Sequence, residues 1–183
     1  KEKIMDNFAE QLVKRENLPS DNTRKTTLTI GSVLGVILLA LIMFLTLGSF
    51  IAIFALILII VTIIGTIKLL DGFKVEYEYT ITNGELDIDK IIAQKKRKSL
   101  ITINAKKITE IGLYDENTPD KDNQTIVLAS DNIDKHEYYA DCTHDEYGNV
   151  RLIFSPNERM LEAIKIYLPL KIRNELEKDN NES

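Results

Sequence analysis

TTLTIGSVLGVILLALIMFLTLGSFIAIFALILIIVTIIGTI, residues Thr26 to Ile67, contains no charged side chain. As one straight helix it would rise about 60 Å, twice the roughly 30 Å hydrocarbon core of a bilayer. Two spans fit, and Leu47-Gly48-Ser49 is the turn-forming stretch near the midpoint. We therefore expect two transmembrane helices, Thr27–Leu47 and Ser49–Leu70, joined by a tight turn. The rival reading is a buried helical hairpin in a soluble protein. Soluble helices keep a polar face, and neither of these segments has one.

Lys14, Arg15, Arg24 and Lys25 precede the first span, and Lys68 and Lys74 follow the second. The turn between them is uncharged. The positive-inside rule then places both termini in the cytoplasm of a multi-pass protein of the cell membrane. Gly31 and Gly35 form a small-xxx-small pair, and Gly65 falls at the depth of Gly31 once the chain turns at Gly48. These glycines are candidates for close helix packing within the hairpin, with homodimerisation through Gly31 and Gly35 as the rival use. No ionisable group lies inside either span, which argues against a pump or transporter.

The expected organisation has three parts: an amphipathic N-terminal arm (1–25), the hairpin (26–70) and a cytoplasmic domain (71–183) whose polar tail is disordered from about Lys178. The apolar run begins too late and is too long for a cleavable signal peptide. The chain has 183 residues, and Asp71–Ser183 holds 16 basic and 23 acidic residues, a formal charge of −7. An acidic domain of this kind is a poor general partner for nucleic acid or anionic lipid. The single cysteine, Cys142, precludes an intrachain disulfide and suits a reducing compartment.

Ile4, Met5, Phe8 and Leu12 recur at helical spacing, with Asp6, Glu10 and Lys14 on another face. This predicts a short amphipathic helix from about Glu2 to Arg15, lying on the membrane interface or docked on the C-terminal domain, and ended by Asn17-Leu18-Pro19.

Beyond Asp71-Gly72 the period changes to two. Val75, Tyr77, Tyr79 and Ile81 alternate with Glu76, Glu78, Thr80 and Thr82, and Asn83-Gly84 follows as a hairpin signal. Further strands are expected at Glu85–Ile92, Lys98–Asn104, Lys107–Leu113, Gln124–Ala129, Lys135–Cys142 and Val150–Phe154, with Asp115–Asn123 a polar loop. A C-terminal helix opens with Ser155 as its cap, Pro156 in the first position and Glu158 completing a capping box. Its apolar face is Met160, Leu161, Ile164, Tyr167 and Leu168, and Pro169 kinks or restarts it.

Seven strands in groups of four and three, closed by one helix, resemble the pleckstrin-homology (PH) architecture, a partly open antiparallel barrel plugged by a helix. The segments Tyr79–Leu86, Lys95–Lys98 and Ile101–Ile111 look like the opening strands of bacterial PH-like domains attached to membrane spans. The chain as a whole resembles a family of two-span proteins of low-GC Gram-positive bacteria known as a domain of unknown function. That resemblance rests on Asp6–Arg15, Val75–Asp89 and Phe154–Ile164. The fold class it implies is a transmembrane α-helical hairpin plus a PH-like α+β domain, and it implies no activity.

Three groups of residues are candidates for function. The basic run Lys95, Lys96, Arg97 and Lys98, with Lys106 and Lys107 nearby, suits contact with anionic lipid headgroups, or is an ordinary solvated connection. In phosphoinositide-binding PH domains the lysines surround the first hairpin loop, whereas here Thr82-Asn83-Gly84 is short and without a base. The second group is Asp141-Cys142-Thr143-His144-Asp145-Glu146 with His136 upstream. Its spacing matches no zinc pattern, and Cys142 with His144 lacks an identifiable orienting group, so neither a metal site nor catalysis is assigned. The third, Tyr77, Tyr79, Tyr138, Tyr139 and Tyr167, reads as core or cross-strand pairing.

No phosphate-binding loop and no cofactor motif is present. The leading expectation is a non-enzymatic scaffold anchored in the lipid bilayer, with a sheet edge or the Asp115–Asn123 loop binding a protein partner. The alternatives are an anionic-lipid sensor through Lys95–Lys98 and, last, an enzyme built on Cys142 and His144.

Overall fold

The computed structural model describes residues 8–115, 118–119, 121–132 and 137–182. The chain divides into two compact units. Asn17–Lys74 forms one, and the chain on either side of it forms the other.

The first unit is a helical hairpin, α1 (Pro19–Leu45) and α2 (Phe50–Asp71). Both helices are long and apolar enough to cross a membrane, by length and composition. α1 starts seven residues earlier than the apolar run because Pro19 suits the first helical position, and Thr23 and Thr26 return their hydroxyls to the carbonyls of Pro19 and Asn22. Gly48, at φ +88°, makes the turn, and Ser49 caps α2 by accepting from the Ile51 amide at 3.2 Å. Within the apolar stretch Thr29, Thr62 and Thr66 each donate to the carbonyl four residues back, so these hydroxyls are satisfied inside their own helix.

Shielded positions recur at coiled-coil spacing: Ser32, Val36, Leu39 and Met43 on α1, and Ala52, Ala55, Ile59 and Thr62 on α2. Ala55, 4% exposed, is the tightest of them. Gly35 and Gly65, two of the three expected packing glycines, are among the half-buried positions, and Gly31 is exposed. A Cβ added at any of the three meets nothing within 4 Å. At that end of the hairpin the helices leave a groove of about 290 Å³ lined by Ser32, Val36, Ile63 and Thr66 among others. Between Thr26 and Ile67 the outward-facing side chains are mostly apolar, Leu45 and Phe50 being 73% and 83% exposed.

Among the described residues the second unit has eight strands, one more than expected. β1 (Phe8–Lys14), β2 (Val75–Thr82), β3 (Glu85–Ile92) and β4 (Lys96–Asn104) form an antiparallel sheet in chain order. A short 3-10 turn, Ala105–Lys107, leads to β5 (Ile108–Leu113). β6 (Thr125–Ala129), β7 (Tyr138–His144) and β8 (Gly148–Phe154) complete a second sheet of order β5-β7-β8-β6. β6 joins β8 in parallel, so this sheet is mixed where an antiparallel one was expected. The two sheets do not close into a barrel. Tyr79, Ile81, Leu86 and Ile88 of the first sheet share a core with Leu152 and Phe154 of the second, and the Tyr79 and Phe154 rings meet edge to face at 5.9 Å.

α3 (Glu158–Lys165) adds Met160, Leu161 and Ile164 to this core, and after Pro169 the chain restarts as α4 (Leu170–Glu182), which buries Ile172 and Leu176. α4 stays helical to Glu182, past the point at Lys178 where disorder was expected. The cap of α3 is Asn157, whose side chain accepts from the Met160 amide at 2.8 Å. Ser155, the expected cap, is committed elsewhere: its amide donates to Tyr79 Oη, and its hydroxyl bonds Asp131.

The largest departure is β1. The expected helix over Glu2–Arg15 is a strand from Phe8 to Lys14, and residues 2–7 lie outside the described residues. β1 pairs with β2 over seven residues, from Phe8↔Thr82 to Lys14↔Glu76. Ala9 and Val13 go to the core, while Gln11 donates to Ser155 O at 2.9 Å and accepts from the Asn157 amide at 2.8 Å. A small, a polar and a branched residue on the inner side give a faint two-residue period. Helical spacing therefore dominated locally, until pairing with β2 overrode it. The compact domain is consequently discontinuous, and a boundary at residue 71 omits one of its strands.

Candidate functional site

The hairpin is inserted between two neighbouring strands. The Arg15 amide donates to Val75 O at 3.0 Å, so the chain leaves the sheet and re-enters it at adjacent points. Register puts two further strand ends there. Val75 faces Ile92 at the end of β3, and Ile92 faces Lys96 at the start of β4. The basic connection therefore sits at the same end of the first sheet as both attachments of the hairpin.

The turn between β3 and β4 is strained. Ala93 and Gln94 both take left-handed backbone angles, φ +54° and +56°, which cost non-glycine residues roughly 1 kcal/mol or more each. The turn is held by the Lys95 amide on Ile92 O and by the Gln94 side chain on Glu76.

The basic candidates separate on inspection. Lys98 faces Lys90, and Lys90 faces Tyr77, so Lys90, Lys96 and Lys98 lie on the core-side face of the sheet, beyond the core. Arg97 projects from the opposite face and bridges Glu78 and Asp89. Burial raises the Glu78 carboxyl above its ordinary range, a hydrogen bond with Glu10 adds to this, and the charge of Arg97 opposes it. Lys106 and Lys107 are at the other end of the sheet, in the 3-10 turn after β4. Lys90 was not singled out from the sequence, although strand periodicity and a hairpin turn after Ile92 would have paired it with Lys98.

At that other end a cleft of about 290 Å³ lies between Glu85, Asn104 and Lys107 on one side and Cys142, His144 and Asp145 on the other. Lys107 donates to Asp145 at 2.7 Å and holds its carboxyl below the ordinary range. Cys142 is 4% exposed, and burial, aided by the Asp141 charge, pushes its thiol up to about 11. His144 uses Nδ1 to accept from the amides of Glu146 and Tyr147 at 3.1 and 3.3 Å and stacks on the Tyr147 ring. Cys142 is thus a neutral thiol at pH 7, and the His144 ring is engaged by its own turn, an arrangement unsuited to nucleophilic chemistry. His136 lies outside the described residues, and among the described residues no group of three or more His, Cys, Asp or Glu could hold a metal ion.

The tyrosines are structural. Tyr77 and Tyr79 are buried, and burial raises both phenols. Tyr79 Oη donates to Ala129 O and accepts from the Ser155 amide, tying the two sheets together. Tyr139 lies under Arg151, and Tyr167 packs over Gly84.

Sequence reasoning missed a buried charge network on the second sheet. Arg151, 1% exposed, makes two hydrogen bonds to Asp141, Nε at 2.7 Å and Nη2 at 2.8 Å, and a third to Pro119 O. Lys121 and Gln124 also donate to Asp141, and Lys121 bridges to Glu110, which accepts from Tyr139 Oη. Two carboxylates thus meet two cations, which pin the end of the Pro119–Gln124 stretch across the sheet. The signal was present. A hairpin turning through Asp145-Glu146-Tyr147 pairs Asp141 with Arg151, the lone charge of its strand.

Two sheets sharing one core, with a C-terminal helix set into it, define this as a PH-like domain. The chain belongs to the family of bacterial PH-like domains (DUF6106), of unknown function, which it matches over residues 5–174. The match takes in β1, the hairpin and the remaining strands together. Searches of curated proteins and of solved structures find no match to the chain.

Proposed function

We propose that this protein is a membrane-anchored, non-enzymatic interaction module. Its hairpin crosses the bacterial cell membrane twice, and its PH-like domain binds a protein partner on the cytoplasmic side. The observation that carries this reading is the insertion itself. Paired strands run through residues 16–18 and 72–74 directly into two apolar helices, so the domain is held at two neighbouring points. The basic residues flanking both helices favour cytoplasmic termini. The hairpin, with no charge inside its spans, suits an anchor better than a conductor.

The partner-binding surface we assign is the edge of β1. Bonding alternates along an antiparallel pair, and Arg15 bonds to β2. Phe8, Glu10, Leu12 and Lys14 therefore turn their backbone groups to the edge of the sheet. Phe8 and Leu12 are 51% and 59% exposed. A long edge with exposed apolar side chains is a template for strand addition.

Alkaline carbonate washing of native membranes should leave the full-length chain in the pellet, and a reporter fused after Ser183 should be active only in the cytoplasm. Release by carbonate, or activity outside, would remove the anchor reading. A photo-crosslinking side chain at Leu12 should capture a protein partner that the same group at Lys106 does not. Equal capture at both would remove the β1 assignment.

A further inference from the structure

We propose that Lys90, Lys96 and Lys98 form a contact for the anionic headgroups of the membrane that the hairpin spans. This rests on the anchored reading above. Lys90 and Lys98 are directly opposed across β3 and β4, an arrangement that is destabilising for like charges unless something neutralises them. Lys96 stands two residues before Lys98 on the same face. None of the three has an ion-pair partner among the described residues. Arg97, the middle residue of the run, is turned away and neutralised by Glu78 and Asp89. The register thus sorts Lys96, Arg97 and Lys98 into a face with two cations free of ion pairs and a face with a paired one.

Position makes an anionic surface the fitting occupant. β3 ends and β4 begins at the end of the sheet where Arg15 and Val75 hand the chain to α1 and take it back from α2. In the anchored reading the short connections at residues 16–18 and 72–74 tether this end of the sheet to the membrane that the hairpin crosses, which keeps that charged surface within its reach. The acidic residues of the same end, Glu76, Glu78 and Asp89, belong to the other face and are engaged by Gln94 and Arg97. The domain as a whole is acidic, so a local cluster of three bases would set which way it turns toward an anionic bilayer.

The test uses the full-length chain in lipid nanodiscs of phosphatidylcholine alone or with phosphatidylglycerol, and follows amine acylation of individual lysines by mass spectrometry. Lys96 and Lys98 are expected to react roughly fivefold more slowly in the anionic discs, with Lys106 and Lys107 unchanged and the difference shrinking as salt is added. In the Lys96→Gln/Lys98→Gln variant the chain should still enter the discs, while Lys90 loses its protection. Equal labelling in both lipids, or equal protection of Lys106 and Lys107, would overturn the contact. Inorganic phosphate added to phosphatidylcholine discs should protect nothing, and full protection by phosphate alone would show a soluble-anion site instead. A chain that fails to enter either disc would overturn the anchor first, an outcome distinct from even labelling.

Discussion

The Arg15 amide lies 3.0 Å from the carbonyl of Val75, and between these two residues runs the whole helical hairpin. That bond belongs to the ladder joining β1 to β2, so the apolar insertion is closed at its base by the sheet it interrupts. The PH-like domain takes seven residues from before the hairpin.

Joining Glu16 to Val75 through a short glycine linker should therefore yield a soluble domain that unfolds cooperatively in urea. Asp71–Ser183 alone lacks the burial of Ala9 and Val13 and the two hydrogen bonds of Gln11, and should be less stable by about 3 kcal/mol or more. Equal urea midpoints for the two proteins would contradict the discontinuous domain.

Removing one partner of the Asp141–Arg151 pair leaves a buried charge unpaired. Arg151→Leu or Asp141→Leu should each cost about 3–5 kcal/mol, and the double change to apolar residues should recover much of it. The side chains are 1% and 3% exposed, which places the pair in the buried class.

The same network sets a pH dependence. Burial pushes the Asp141 carboxyl up, but hydrogen bonds from Arg151 and Lys121 outweigh it and hold it below its ordinary range. Glu110 is likewise lowered by its bonds from Lys121 and Tyr139. A folded value below the unfolded one means that the contribution is complete above roughly pH 4–5 and is lost as pH falls through the folded values. Urea midpoints should drop below pH 4, and the drop should be smaller in Asp141→Asn. An equal drop in that variant would assign the acid sensitivity elsewhere.

Cys142 should be inert in the folded protein. With its thiol at about 11, a very small fraction is thiolate at pH 8, and the side chain is buried. Iodoacetamide should label it only as fast as the domain opens, and promptly in denaturant. Rapid native labelling would revive a chemical role.

Backbone strain can be tested from both sides. Gly84 sits at φ +91°, and a Cβ there would come 2.8 Å from Tyr167 Cδ1, so Gly84→Ala should cost about 2 kcal/mol. Replacing Ala93-Gln94 by Asn-Gly should stabilise the domain by about 1–2 kcal/mol, because both positions already have the angles that pair prefers. Thermal melts of both variants check the two signs.

Much of this architecture is local and was therefore readable. The uncharged run declared two long apolar helices by composition, and Asn83-Gly84 declared the β2–β3 turn because its residues tolerate positive φ, which both adopt. Alternation along Val75–Ile81 identified a half-buried strand whose odd residues are all in the core. Membership in a PH-like family was likewise legible in the residues that carry it.

The apolar insertion and the periodicity of most strands depend on residues close together in the chain and so could be read from it directly. Tertiary structure alone decided that Phe8–Lys14 is a strand, that β6 runs parallel to β8, and that Asp141 and Arg151 neutralise each other out of water. It also decided which lysines of the basic run share a face and an end with the hairpin's attachments. Each of these turns on a hydrogen bond or a register between distant segments. A weak local preference yields there to pairing that becomes available only when the sheets assemble.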